Sequence, residues 1–208
     1  MGTCNARILE TTVAHSRYDP ASDQHLVLSI QRGDTDAFRQ LYTRFYHRLL
    51  EFACGIVRTR ESARDIVQDV FAHIWERRET WEVRERLDVY LYQAVRYRSL
   101  HVVRHERIVD RVRTTNHPDI RERVGLRADT LTPEETLDLE ELQLLLARAV
   151  HDLPAAQREA ILLHWRHGLS NAEVARVMGK STGAIAVYIS RARERLRVVL
   201  DREIAPDR

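Results

Sequence analysis

The chain has 208 residues, 44% of them hydrophobic, and 33 Lys and Arg stand against 31 Asp and Glu for a formal net charge of +2. That is material for one medium domain or two small ones. No stretch approaches the roughly 20 apolar residues of a membrane span and the first residues lack an apolar signal core, so the composition argues against membrane insertion and predicts a cytoplasmic protein. Cys4 and Cys54 stand alone, which indicates neither a disulfide framework nor a structural zinc site. Lys180 is the only lysine. Arginine abundance of this kind reflects GC-rich coding DNA as readily as a nucleic-acid partner, so where the arginines sit matters more than their number.

Residues 1–22 are polar and aperiodic and predict a flexible N-terminal tail. A helical period begins at Asp23, with Leu26, Val27 and Ile30 on one face and Gly33 as a stop. Asp34 opens the next helix, where Ala37, Phe38, Leu41, Tyr42, Phe45, Leu49, Phe52, Ala53 and Ile56 form a long core stripe. The cleanest period runs from Ala63 to Arg78, with Ala63, Ile66, Val67, Val70, Phe71, Ile74 and Trp75 at i, i+3, i+4, i+7, i+8, i+11 and i+12. Its opposite face carries Asp65, Gln68, Asp69 and His73, and a solvated helix would look the same.

A link through Trp81 and Arg86 leads to a fourth helix bearing Leu87, Tyr90, Leu91, Ala94 and Val95. Arg96, Tyr97, Arg98, His101, Arg104, His105 and Arg107 crowd its later half. Basic and aromatic residues interleaved in this way suit unpaired DNA, because arginine neutralises phosphate while exposed rings offer stacking surfaces to bases. A solvated arginine face fits the same pattern.

The apolar period fails from about Ile108 to Thr130, and Pro118 and Gly125 interrupt what remains, so residues 108–131 predict a flexible linker. Thr132 then caps a helix with Pro133 at its first position and Glu135 at the capping-box position. Leu139, Leu142, Leu145, Leu146, Ala149, Val150 and Leu153 form its apolar face, and Pro154 ends it. A further helix with Ile161, Leu162 and Trp165 runs to Gly168. His164 and His167 have no carboxylate or cysteine partner at ligand spacing, so they read as surface histidines and no metal or other cofactor is expected.

Two capped helices then meet across a short turn. Ser170 caps the first, Glu173 closes a capping box, and Gly179 supplies the residue that tolerates a left-handed conformation. The second helix starts at Ser181, and Val174, Ala175, Met178, Ile185 and Ile189 provide the contacts of a helix-turn-helix, whose second helix enters the DNA major groove. No strand-like alternation appears. The predicted fold is all-α: two small helical domains at 23–107 and 132–202, joined by the linker, the second a helix-turn-helix domain.

These residues resemble a known family. Leu41-Tyr42 with Phe45, the block Ala63 to Phe71, the block Tyr90 to Arg96, Leu153-Pro154-Ala155-Ala156-Gln157-Arg158 and the helix-turn-helix follow, in that order and spacing, the pattern of bacterial RNA polymerase sigma factors of the extracytoplasmic-function (ECF) group. The resemblance runs from about residue 24 to 200. It implies a factor without catalytic residues that binds core RNA polymerase, directs it to promoters and assists their opening.

Position by position, the resemblance implies that Asp65, Gln68, Asp69 and His73 meet the coiled coil of the polymerase β′ subunit, while the second domain meets the β flap. It assigns Tyr92, Arg96, Tyr97, His101 and Arg104 to the −10 element and its unpaired strand. It assigns Lys180, Ser181, Thr182, Ala186, Val187, Tyr188, Ser190, Arg191 and Arg193 to the −35 element. An anti-sigma protein, commonly membrane-anchored in this family, is an implied further partner.

Two stretches depart from the family. Tyr97 and His101 stand where an asparagine and an aspartate are usual, and Ala186, Val187 and Tyr188 replace a basic residue, a serine and an arginine. Base readout by the recognition helix is therefore less charged, with Arg191 as the best candidate for a guanine contact. Lys180, Arg193 and Arg195 fit phosphate contacts or solvated charges. The rival reading is a dimeric helix-turn-helix regulator with an N-terminal sensor half, but the first half shows docking and −10-like blocks rather than a ligand-pocket pattern.

Overall fold

The computed structural model describes residues 20–112 and 145–204, with side chains described for 21–106 and 145–201. Expectations for residues 1–19, for most of the linker and for the cap at Thr132 lie outside these residues. Among the described residues every regular element is helical.

The first lobe consists of α1 (Pro20–Gln31), α2 (Thr35–Cys54), α3 (Arg60–Glu76), a 3-10 turn at Arg78–Thr80 and α4 (Leu87–Val112). Asp34 caps α2 by accepting hydrogen bonds from the backbone N–H groups of Asp36 and Ala37 at 2.9 and 3.1 Å, which answers two of the helix's unpaired donors. Thr59 does the same for α3 through the Ser62 N–H at 3.0 Å. The expected stripes face inward: Leu41, Phe45, Leu49 and Phe52 of α2 meet Ile66, Val70, Phe71 and Ile74 of α3 and Leu87, Leu91 and Val95 of α4, all buried. Each such side chain contributes about 1.5–3 kcal/mol by leaving water. Around their edge, Phe38 and Trp75 lie 4.9 Å apart and Tyr42 stacks on Tyr46 at 4.7 Å.

Two boundaries move. Helix α1 begins at Pro20, three residues before the predicted start, because Pro is suited to a first helical position and Asp23 is held inside by a 2.6 Å ion pair with Arg44 of α2. Helix α4 continues to Val112, past the predicted edge of the linker at 108, since loss of the apolar stripe removes packing but not helix propensity.

The second lobe holds α5 (residues 145–151), α6 (Ala155–Ile161), α7 (Asn171–Met178) and α8 (Thr182–Ile204). Between α6 and α7, Leu162–Arg166 form a π-helical turn rather than the predicted continuation of an α-helix, with the His167 N–H bonded to the Leu162 carbonyl at 3.1 Å. A wider turn of this kind rotates the next side chain by an amount that a regular helix cannot. It points His167 inward. The lobes pack on each other chiefly through α4 and α7.

Candidate nucleic-acid interface

The helix-turn-helix is built as its sequence dictates. The Ser170 hydroxyl accepts from the Glu173 N–H at 3.3 Å, and the Glu173 carboxylate accepts from the Ser170 N–H at 2.8 Å, so both halves of the capping box are closed. Gly179 turns the chain at φ 63°, ψ 43°, a conformation that costs a side-chain-bearing residue but not glycine. Ser181 then caps α8 by accepting from the Ala184 N–H at 3.2 Å.

Ile185, Ile189, Ala192 and Leu196 bury one face of α8 against Val174 and Met178. The opposite face leaves Lys180, Ser181, Thr182, Ala186, Val187, Ser190, Arg191 and Arg193 exposed, while Tyr188 is half-buried against the core. The Arg193 guanidinium rests 5.2 Å from the centre of the Trp165 ring.

On the first lobe Asp65, Gln68, Asp69 and His73 share one exposed side of α3, and Asp69 lies 3.3 Å from Arg98 of α4. The −10 candidates divide into two sets. Tyr97, His101 and Arg104, at i, i+4 and i+7, lie on one exposed face of α4, and Tyr97 is 75% exposed. They border a cleft of about 510 Å³ whose far wall is Arg176, Val177 and Gly179.

Tyr92 and Arg96 are placed differently from expectation. Tyr92 is wholly buried, its ring 5.2 Å from Phe52 and 4.9 Å from His167, and this burial raises its phenol above the ordinary value. Arg96 is paired with Glu159 of α6. In this arrangement neither side chain offers itself to a base. Each is turned to a residue of the second lobe, Tyr92 to His167 and Arg96 to Glu159, and Arg96 also lines the cleft that Tyr97 borders.

His167, predicted to be a surface histidine, is 4% exposed. Burial, reinforced by Arg48 and Arg166, pushes its imidazole down to about 3, so the ring is neutral. Its backbone carbonyl accepts from Arg48 at 2.9 Å, while its Nδ1 is buried without a hydrogen-bond partner among the described residues. His164 is half-buried, and its Nδ1–H donates to the Leu169 carbonyl at 2.8 Å. Among the described residues no group of three or more His, Cys, Asp or Glu could hold a metal ion, and no helix is long and apolar enough to cross a membrane.

Charged pairs complete the seam between the lobes. Arg86 donates to Asp88 and, across the seam, to Glu173, each at 2.6 Å. Burial alone would raise the Glu173 carboxyl, but the Ser170 donors and Arg86 hold it below the usual carboxylate range. Glu159 behaves oppositely, since burial lifts its carboxyl despite Arg96. Arg166–Glu51 at 3.1 Å and Arg176–Glu85 at 3.5 Å lie further out. No sequence pattern marks Arg48, Arg86, Glu159 or His167 as seam residues, because the partner of each lies in the other lobe.

Comparisons with known proteins identify the family. Residues 41–108 match the Sigma-70 region 2 family and residues 143–196 match Sigma-70 region 4, and together the two stretches take in more than half of the chain. The RNA polymerase sigma-H factor of Pseudomonas aeruginosa is 27% identical over 186 residues, 88% of this chain and 94% of that protein. The ECF RNA polymerase sigma-E factor of Escherichia coli is 28% identical over 191 residues, 89% of this chain and 95% of the other. Among solved structures, the sigma factor RpoE of Bartonella quintana, crystallised in complex with the anti-sigma factor NepR, superposes with a TM-score of 0.62 at 25% identity, covering 79% of this chain and 96% of that one. The chain therefore belongs to the sigma-70 family, as an ECF-type sigma factor of RNA polymerase. Its work is transcription initiation.

Proposed function

We propose that three faces divide that work. The exposed side of α3, with Asp65, Gln68, Asp69 and His73, docks on the coiled coil of the β′ subunit of core polymerase, and the second lobe lies at the β flap. Helix α4 captures the unpaired strand at the −10 element, with Tyr97 as a stacking platform, His101 and Arg104 along the backbone, and Tyr92 and Arg96 joining once the lobes part. The outer face of α8 reads the −35 element. The functional domains follow the lobes, with α1 through α4 as one and the segment from about residue 132 onward as the other. The protein has no catalytic residue of its own and works in the cytoplasm, where core polymerase is found.

The observation that carries this reading is the exposed ring of Tyr97 in mid-helix, lined up with His101 and Arg104. A protein that only grips duplex DNA through α8 has no use for it. The seam between the lobes also supports separation, since it leaves His167 Nδ1 without a hydrogen-bond partner among the described residues, a cost to the closed arrangement of about 1–3 kcal/mol. An anti-sigma protein that holds the lobes together is the natural regulator of such a seam. The deciding experiment is co-purification with core polymerase followed by transcription from a promoter library. Protein that binds duplex DNA alone and never associates with core enzyme would instead be a dimeric helix-turn-helix regulator.

A further inference from the structure

The outer face of α8 has little reach where reach would be expected. Gly183, Ala186, Val187 and Ser190 fall at i, i+3, i+4 and i+7, one stripe of the helix, and all are exposed, Val187 at 45%. No charged side chain appears between Thr182 and Ser190.

Gly183 is unexplained by the fold. Glycine is the poorest helix former after proline, and it is not needed here for a left-handed backbone, unlike Gly179. A Cβ at position 183 would meet nothing within 4 Å, so no neighbour inside the protein demands its absence. A glycine that internal packing does not require, one turn ahead of an alanine on the same stripe, fits close approach by something outside.

The occupant is identified by the surroundings. Lys180, Arg191, Arg193 and Arg195 are exposed beside the stripe and suit a polyanion. The first turns of a recognition helix face base edges in the major groove. Glycine, alanine and valine cannot hydrogen-bond those edges through their side chains. The one apolar group that the major groove presents is the C5-methyl of thymine.

We propose that Gly183 and Ala186 let α8 sit flush in the major groove and that Val187, beside Ala186, selects thymine through its C5-methyl. Arg191, one turn further on, supplies the hydrogen-bonding readout. The proposal rests on α8 being the −35 recognition helix and adds which chemical group it recognises.

The test exchanges thymine for deoxyuridine, which removes only the methyl. Holoenzyme reconstituted from the full chain and core polymerase first selects −35 sequences from a randomised library, and each thymine of the selected element is then replaced in turn. At one or two positions the exchange weakens wild-type holoenzyme about three- to fivefold, the worth of one buried methyl. The Val187→Ala holoenzyme does not distinguish the two bases there. Gly183→Ala gives a chain that melts no lower than wild type yet binds the selected promoter more weakly. A selected element that lacks thymine, or whose thymines all exchange without loss, overturns the proposal and leaves the sigma reading intact. Failure to form any promoter-selective holoenzyme overturns both.

Discussion

Arg86, at the entrance of α4, reaches across the seam to place its guanidinium 2.6 Å from Glu173, the residue that closes the capping box on Ser170. One carboxylate thus finishes the helix that carries the helix-turn-helix and ties that helix to the other lobe. The two roles separate by mutation. Glu173→Ala removes both, costing about 0.5–1.5 kcal/mol of second-lobe stability through the lost carboxylate half of the capping box, while Ser170 still caps the helix. Arg86→Ala leaves the cap intact, so the expected outcome is unchanged melting of the second lobe with a larger radius of gyration in solution scattering. Equal melting losses in the two variants would show that Arg86 also supports the second lobe itself.

Asp69→Arg reverses a charge on the exposed side of α3 and gives up only its 3.3 Å contact with Arg98, a pair exposed enough to contribute little to stability. The helix keeps its core face of Ile66, Val67, Val70 and Phe71. The variant should fold with a native circular dichroism spectrum and bind core polymerase about tenfold more weakly. Unchanged affinity in a fluorescence-anisotropy titration removes Asp69 from the interface.

Tyr97→Ala deletes the ring of a residue that is 75% exposed and so costs the fold little. Stacking on a base is worth about 1–3 kcal/mol, so promoter opening should fall by one to two orders of magnitude while binding to core enzyme persists. Permanganate reactivity of unpaired thymines at the −10 element measures this directly. Full opening by the variant assigns the stacking role elsewhere.

The structure also predicts a pH response. His167 is pushed down to about 3 in the closed arrangement, against an ordinary value of 6.5. With the lobes parted the imidazole takes up a proton below about 6.5, whereas in the closed form it stays neutral down to about 3, so closure is at full strength above 6.5 and weakens as pH falls through that window. Each unit within it counts for about 1.4 kcal/mol against closure. Glu159 works the other way, its raised carboxyl favouring closure in acid. Comparison with His167→Gln isolates the histidine: on acidification from pH 7 to 5, wild type should expand relative to the variant, as read by distance between fluorophores on the two lobes. Identical profiles would detach His167 from the seam.

Arg191→Ala removes the nearest long donor on the outer face of α8, and a good bidentate contact to guanine is worth about 1–3 kcal/mol of discrimination. A promoter-selection experiment should show relaxed preference at one −35 position, whereas Lys180→Ala should weaken all sequences alike. Selection that is unchanged by Arg191→Ala excludes it as a base reader.

What the sequence reveals, and what it hides, follows the range of the interactions. The caps at Asp34 and at Ser170 with Glu173, the turn at Gly179 and the buried stripes of α2, α3 and α8 are fixed by residues three or four apart, and each is legible as a pattern. Tyr92 and Arg96 have the local pattern of a DNA-facing residue, but their partners His167 and Glu159 come from the other lobe and leave no periodicity near them. The π turn at Leu162–Arg166 escapes for a similar reason. Its five residues suit an α-helix, and only the inward course of His167 distinguishes the two.

The position of Arg193 above Trp165 gives the second lobe a built-in optical reporter. The chain's other tryptophans, Trp75 and Trp81, lie in the first lobe, one packed on Phe38 and the other buried. A phosphate that draws the Arg193 guanidinium away changes the surroundings of one indole alone. Engagement of the −35 duplex should therefore be visible in the native fluorescence of the unlabelled protein, separable from events at the −10 helix.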